Sequence, residues 1–322
     1  MQQAYMLPYM ENEDGEDRHV LRLPNNNSPK WIEPLVPEHV RALIATVDVQ
    51  QNMFIVQIVG ISPGRPFDLT VVDRFSIRNS DREDEHSGGF EWVKPGSYID
   101  DWDKLEELVM ARSYRLANDL SKKMTIKMTF CDSGGKAGVT TNAYNFVREI
   151  RKRGLAGRFH LVKGASQPSA PRTQITYPDN SKRGGGAKAG AQGDIPVLML
   201  NPTLLKDALD NRLEVKVPGS GFLHFPNWLA DWFFGELTAE TRDPKKGWLN
   251  LNKRRNEAWD LLYYALGACA SALLGVEKVD WENPPLWLAP VEGNPLVIAA
   301  EREEAFIEAP TIDFAKFGRE LA

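Results

Sequence analysis

The chain has 322 residues, with 39 Lys and Arg against 44 Asp and Glu for a formal charge of −5, and is 42% hydrophobic and 26% charged. This balance excludes collagen-like, coiled-coil and wholly disordered chains, and it leaves enough apolar material for one large or two ordinary domains. The two cysteines, Cys131 and Cys269, stand alone, which excludes a disulfide framework, a zinc finger and a redox dithiol and points to a reducing compartment.

Residues 1–36 are polar and acidic, with Asn25, Asn26 and Asn27 in a row and Pro8, Pro24, Pro29 and Pro34 at helix-breaking positions, and read as a flexible arm or linker. No basic stretch precedes an apolar run there, so no secretory signal is predicted. A single domain is expected over residues 37–279. ALIATVDVQ and MFIVQIVGI are β-branched runs separated by Gln51 and Asn52, as in a hairpin, and LTVVDRFSI adds a third strand. After the polar NSDREDEHSGG, the apolar spacing of WDKLEELVMARSYRLA predicts an amphipathic helix and TIKMTFCD a fourth strand. VTTNAYNFVREIRKRG has helical spacing with basic residues in its last turn, and RFHLVKG returns as a short strand.

Residues 166–194, rich in Gly, Pro and Ser, read as a mobile basic loop. IPVLMLN, a helix near PTLLKDALDNR, LEVKV and FLHFP then resume the α/β pattern, and helices are expected around NWLADWFFGELTAE and RRNEAWDLLYYALGACASALL. The uncharged run Leu261–Val276 is 16 residues long, short of the roughly 20 that span a bilayer, and reads as a buried core helix with no membrane partner. From Asp280 the chain is Pro-rich, so residues 280–322 are expected to form an irregular C-terminal tail with at most a short helix near DFAKFGREL.

Strand, strand, strand, helix, strand, helix, strand, followed by a carboxylate-bearing helix, is the order of a ribonuclease-H-like α/β fold, a mixed sheet flanked by helices. In that fold Asp48 on the first strand, Asp132 at the end of the fourth and Asp260 in the late helix stand where metal ligands stand. Two divalent cations about 4 Å apart can activate water and stabilise the leaving oxygen of a phosphodiester, and hard oxygen ligands suit Mg²⁺ or Mn²⁺. The fold would make Asp48 the bridging ligand. Glu257, three residues before Asp260 on the same helical face, is a candidate fourth ligand or proton shuttle. Each acid also has a bland reading. Asp48 would be a hydrogen-bonded structural acid, Asp132 a turn or capping residue, and Asp260 and Glu257 an exposed helix face paired with Arg254 or Arg255.

TVDVQQNMFIVQIVG, FCDSGGKAGVTTNAYNFVR, HLVKG, FLHFPNWLADWFFGELTAE and KRRNEAWDLLYYALGA occur in that order over residues 31–275. In these blocks the chain resembles the C-terminal nuclease half of the large terminase subunit of lambda-type tailed phages. The resemblance implies a metal-dependent DNA endonuclease that cuts concatemeric viral DNA in the host bacterial cytoplasm, with Asp48, Asp132 and Asp260 at the family's acidic positions. Its implied partners are double-stranded DNA, the terminase small subunit, the capsid portal, which residues 280–322 would contact, and a separate ATPase domain or chain. No GxxxxGK[ST] phosphate loop occurs in the sequence, so translocation is not assigned to it.

Basic residues cluster at Arg148, Arg151, Lys152, Arg153 and Arg158, at Lys182, Arg183 and Lys188, and at Lys245, Lys246, Lys253, Arg254 and Arg255. Such clusters supply nonspecific, salt-dependent affinity for phosphates. The basic loop with Lys182, Arg183 and Lys188 and the run Lys253, Arg254 and Arg255 are the expected DNA contacts, while the first cluster reads equally well as solvated helix-end charge. Trp228, Trp232, Phe233 and Phe234 are expected to pack in the core. Two other readings compete: a resolvase- or transposase-type nuclease with the same acids, and a DNA-packaging assembly module without catalysis.

Overall fold

The run Phe54–Ser62 is buried at every position, and it holds an inner place in a ten-stranded sheet in the computed structural model. A strand covered on both faces has no use for polar alternation, which is why this segment is almost continuously apolar. The structure describes residues 20–21, 30–31, 34–84, 88–135, 138–179, 191–215 and 218–300. The strands of the large sheet are β1 (Ala42–Val49), β2 (Phe54–Ser62), β3 (Asp68–Ile77), β4 (Ser113–Arg115), β5 (Lys122–Asp132), β6 (Phe159–Gly164), β7 (Thr173–Thr176), β8 (Val197–Leu200), β9 (Leu223–His224) and β10 (Val297–Ala299). The main helices are α1 (Val139–Lys152), α2 (Pro202–Leu213), α3 (Asp231–Leu237) and α4 (Glu257–Ala270). Strand order is β7-β8-β6-β5-β1-β2-β3-β9, with β4 and β10 both attached to β5.

The expected hairpin is present: β1 runs antiparallel to β2, with Asp48 opposite Ile55, and β2 antiparallel to β3. The first and fourth predicted strands are neighbours, β1 lying parallel to β5 with Val47 beside Cys131. One apolar cluster, including Trp102, Phe146 and Phe159, covers one face of the sheet, and a second, built on α4 with Leu205, Leu209 and Phe233, covers the other. Ala42 and Ile44 of β1 and Met128 and Phe130 of β5 belong to the α4-side cluster. The two-residue period of a strand therefore sets Asp48 and Asp132 on that same face.

Several expectations are corrected. The helix predicted over WDKLEELVMARSYRLA is a short compound turn from Asp100 to Met110, after which Ser113–Arg115 becomes β4, antiparallel to β5. Met110 and Tyr114 have helical spacing while Tyr114 and Leu116 have strand spacing, and the Tyr114 hydroxyl donating to Asp73 Oδ2 at 2.8 Å favours the strand. Within the segment 166–194, Thr173–Thr176 pairs with β8 as an edge strand, while residues 180–190 lie outside the described residues. LEVKV adds no strand among the described residues, because α2 continues to Leu213. The core helix ends at Ala270 instead of running to Val276, where the Ser271 hydroxyl donates to Ala268 O at 2.7 Å. No helix among the described residues is long and apolar enough to cross a membrane.

The C-terminal region is not wholly irregular. Val297–Ala299 pairs with Lys122–Met124 of β5, the buried Asn294 donates its side-chain amide to Arg41 O at 2.6 Å, and Leu288 is 1% exposed. At the other end, the expected arm joins the fold at Val36, which is fully buried and whose N–H donates to Arg115 O. Ending the chain at residue 279 is thus expected to lower stability by about 3 kcal/mol through lost burial, read as a lower urea midpoint.

Gly138 precedes α1 with φ of +88°, and a Cβ there would lie 2.0 Å from Gly96 O. Gly138→Ala is expected to cost about 2–3 kcal/mol from the left-handed backbone and the overlap, read as a lower thermal midpoint.

Candidate active site

Two strand ends and one helix start form the site. The Asp48 carboxylate, half-buried on β1, accepts a hydrogen bond from Gln50 Nε2. Asp132 ends β5 and accepts from Gly134 N at 3.1 Å, where the chain turns towards α1. Asp260 lies in the first turn of α4, which crosses β1 and β2 and packs on α2 and α3. Gly267 lets α4 lie close to β8 and α2, since a Cβ there would come within 2.6 Å of Leu200 Cδ2 and 3.0 Å of Leu205 Cδ1. The start of α4 is fixed by Glu236 of α3, whose Oε2 accepts from Ala258 N at 2.8 Å.

Electrostatics ties the three acids together. Burial pushes the Asp48 carboxyl up to about 6, and neighbouring Asp132 and Glu257 add to the effect while Gln50 and Arg74 oppose it. Burial likewise raises Asp260 to about 6, with Glu240 and Asp48 adding and Lys206 opposing. Asp132 is raised by burial and by Asp260, against its bonds to the Gly134 and Ser133 amides and the charge of Lys163. Carboxylates that resist ionisation because they are buried beside one another are a frequent mark of functional sites.

Among the described residues, no three His, Cys, Asp or Glu side chains are gathered closely enough to form a ready ligand group. Each carboxylate is instead engaged by an internal donor: Asp48 by Gln50, Asp132 by the Gly134 amide, and Asp260 by Lys206 at 2.7 Å and Asn256 at 3.1 Å. Asp260 is therefore not the exposed, arginine-paired residue of the bland reading. Glu257 does pair with Arg255, whose Nε donates to Oε2 at 3.2 Å, although it lies near enough to Asp48 to influence it.

The basic clusters differ in placement, and both contain paired residues. Arg148 and Arg151 are bound to Asp194, Lys152 to Glu149, and Arg153 to Asp103 and Glu106, so this cluster is internally paired. Lys253, Arg254 and Arg255 form the exposed loop that leads into α4, and Lys245 and Lys246 are exposed nearby in sequence, in the turn between Thr241–Asp243 and Gly247–Leu249. Lys182, Arg183 and Lys188 lie outside the described residues. Phe233 is fully buried, and Trp228, Trp232 and Phe234 pack against the core as expected.

Sequence reasoning missed Lys206, Glu240 and Asn256, which surround Asp260, and the buried Arg74–Glu236 pair behind Asp48. The available signals were a lysine between Leu205 and Leu209 on the inward side of a helix, and an arginine inside the apolar run LTVVDRFSI.

Residues 3–281 match the family model described as terminase large subunit gpA, endonuclease domain. No curated protein and no solved structure matches the chain. The match spans β1 to α4 and includes all three acids, and the chain therefore belongs to the endonuclease-domain family of the terminase large subunit, a nuclease of phage DNA packaging.

Proposed function

We propose that this domain cuts concatemeric double-stranded DNA by metal-assisted phosphodiester hydrolysis, with Asp48, Asp132 and Asp260 holding two Mg²⁺ or Mn²⁺ ions. The observation that carries the reading is that Asp48, Asp132 and Asp260, supplied by β1, β5 and α4 on one face of the sheet, are partly buried carboxylates, each raised by desolvation and by another of the three. Their oxygens suit hard cations, and a cation would cancel the penalty of ionising them together. When bound, such ions supply Lewis-acid stabilisation of the phosphate and a more acidic water.

The chain's own residues orient and exclude. Gln50, the Gly134 amide, Lys206 and Asn256 fix the carboxylates, and the apolar body of α4 closes the site from behind. Lys253, Arg254 and Arg255 provide positive charge where α4 begins, suited to holding a phosphate backbone without reading its bases. Cut-site choice then falls to a partner such as the small subunit, with a separate ATPase supplying translocation in the bacterial cytoplasm. Portal contact is assigned to the region after residue 280. Its test requires ending the chain at residue 300, since an earlier end removes β10 from the sheet.

Conversion of supercoiled plasmid to nicked and linear forms tests the reading. Wild type is expected to cut with Mg²⁺ or Mn²⁺ and not in EDTA, and Asp48→Asn, Asp132→Asn and Asp260→Asn to be inactive. Metal-independent cutting, or full activity in any folded variant of the three, overturns it.

A further inference from the structure

Lys206 lies on the inward side of α2 and is 6% exposed. Its Nζ donates to both oxygens of Glu240, at 2.8 and 2.9 Å, and contacts Asp260 Oδ1 at 2.7 Å. The same ammonium stands 5.0 Å from the centre of the Tyr263 ring. Asn256 braces the arrangement, donating to Glu240 Oε1 at 2.7 Å and to Asp260 Oδ2 at 3.1 Å.

Burying an ammonium and a carboxylate costs more than burying two apolar side chains of the same volume, so packing α2 against α4 does not account for the pair. What the pair does is place a fixed positive charge on a carboxylate of the candidate site. With three carboxylate oxygens and an aromatic face around it, the ammonium sits in a cation's surroundings.

We propose that Lys206 is a tethered counter-cation, which neutralises Asp260 in the metal-free protein and yields that carboxylate to an incoming divalent cation while Glu240 retains the ammonium. This rests on the reading of Asp48, Asp132 and Asp260 as cation ligands. Lys206 competes with the metal and sets its affinity lower than the carboxylates alone would give. Glu240 makes the exchange possible without leaving a buried ammonium unpaired.

Mn²⁺ binding to the full chain without DNA, followed by calorimetry and by the electron paramagnetic resonance signal of free Mn²⁺, tests this. Lys206→Met is expected to bind Mn²⁺ about tenfold more tightly than wild type, since one competing charge is gone. If Lys206→Met lacks a cooperative melting transition, Lys206→Met/Glu240→Gln, which leaves no unpaired Glu240 carboxylate, is expected to bind about threefold more tightly. Binding unchanged or weakened in a folded variant overturns the proposal and leaves the ligand reading intact. Absence of Mn²⁺ binding by wild type and both variants overturns the two together.

Discussion

Asparagine at position 48 is expected to reduce DNA cleavage about a thousandfold or more and, at the same time, to stabilise the metal-free protein at pH 8. The opposite signs have one cause. In the fold the Asp48 carboxyl is raised from 3.8 to about 6, chiefly by burial. A carboxyl with a raised folded value contributes stability that is present below about pH 4 and lost as pH rises through about 6. For a shift from 3.8 to about 6, the loss at pH 8 is of the order of 2–3 kcal/mol. An amide keeps the Gln50 hydrogen bond available and cannot ionise. Urea unfolding in EDTA should therefore show Asp48→Asn more stable than wild type at pH 8 and nearly equal to it at pH 4. Equal stability at both pH values would show that Asp48 is solvated and would remove the electrostatic argument for the site. Asp260→Asn should gain less, because the amide no longer pairs with the charge of Lys206.

Glu236→Ala is expected to cost about 3–5 kcal/mol. Its carboxylate, 4% exposed, meets Arg74 at 3.3 Å and Arg255 at 3.4 Å and accepts the Ala258 amide hydrogen bond. Truncation takes from Arg74, itself 3% exposed, its buried ion pair with Glu236, and frees the first turn of α4. Replacing both partners with apolar residues, Arg74→Met with Glu236→Leu, should recover most of the loss, since neither charge of the pair is then buried. Chemical denaturation of the three variants checks this, and a double variant no more stable than Glu236→Ala would assign the effect to α4 docking instead of charge.

The framework of the site was legible because it depends on period and order. Apolar alternation around Asp48 and Met128-Thr129-Phe130 before Asp132 fix which face each acid takes, and the strand order makes β1 and β5 neighbours. What surrounds the acids was not legible. Lys206 reaches Asp260 from α2, Glu240 approaches from a loop after α3, and Arg74 meets Glu236 across 162 positions of sequence. Such pairings depend on how helices settle on the sheet, which no local periodicity encodes. The region from Met110 to Leu116 misled for a different reason: its apolar residues fit both periods, and pairing with β5 decided between them. The tail misled because three residues suffice to extend an existing sheet, too few for any pattern to announce.

β5 carries Asp132 at its last residue and, at its first, Lys122 beside Ala299 of β10. At about 3.3 Å per residue this single strand separates the two points by roughly 30 Å. The described chain thus departs from the pole of the domain opposite the carboxylates. A protein that held the chain where Ala299 meets Lys122 would grip the nuclease by its heel, away from the end that carries the carboxylates, so anchorage and the proposed cutting need not compete for the same space.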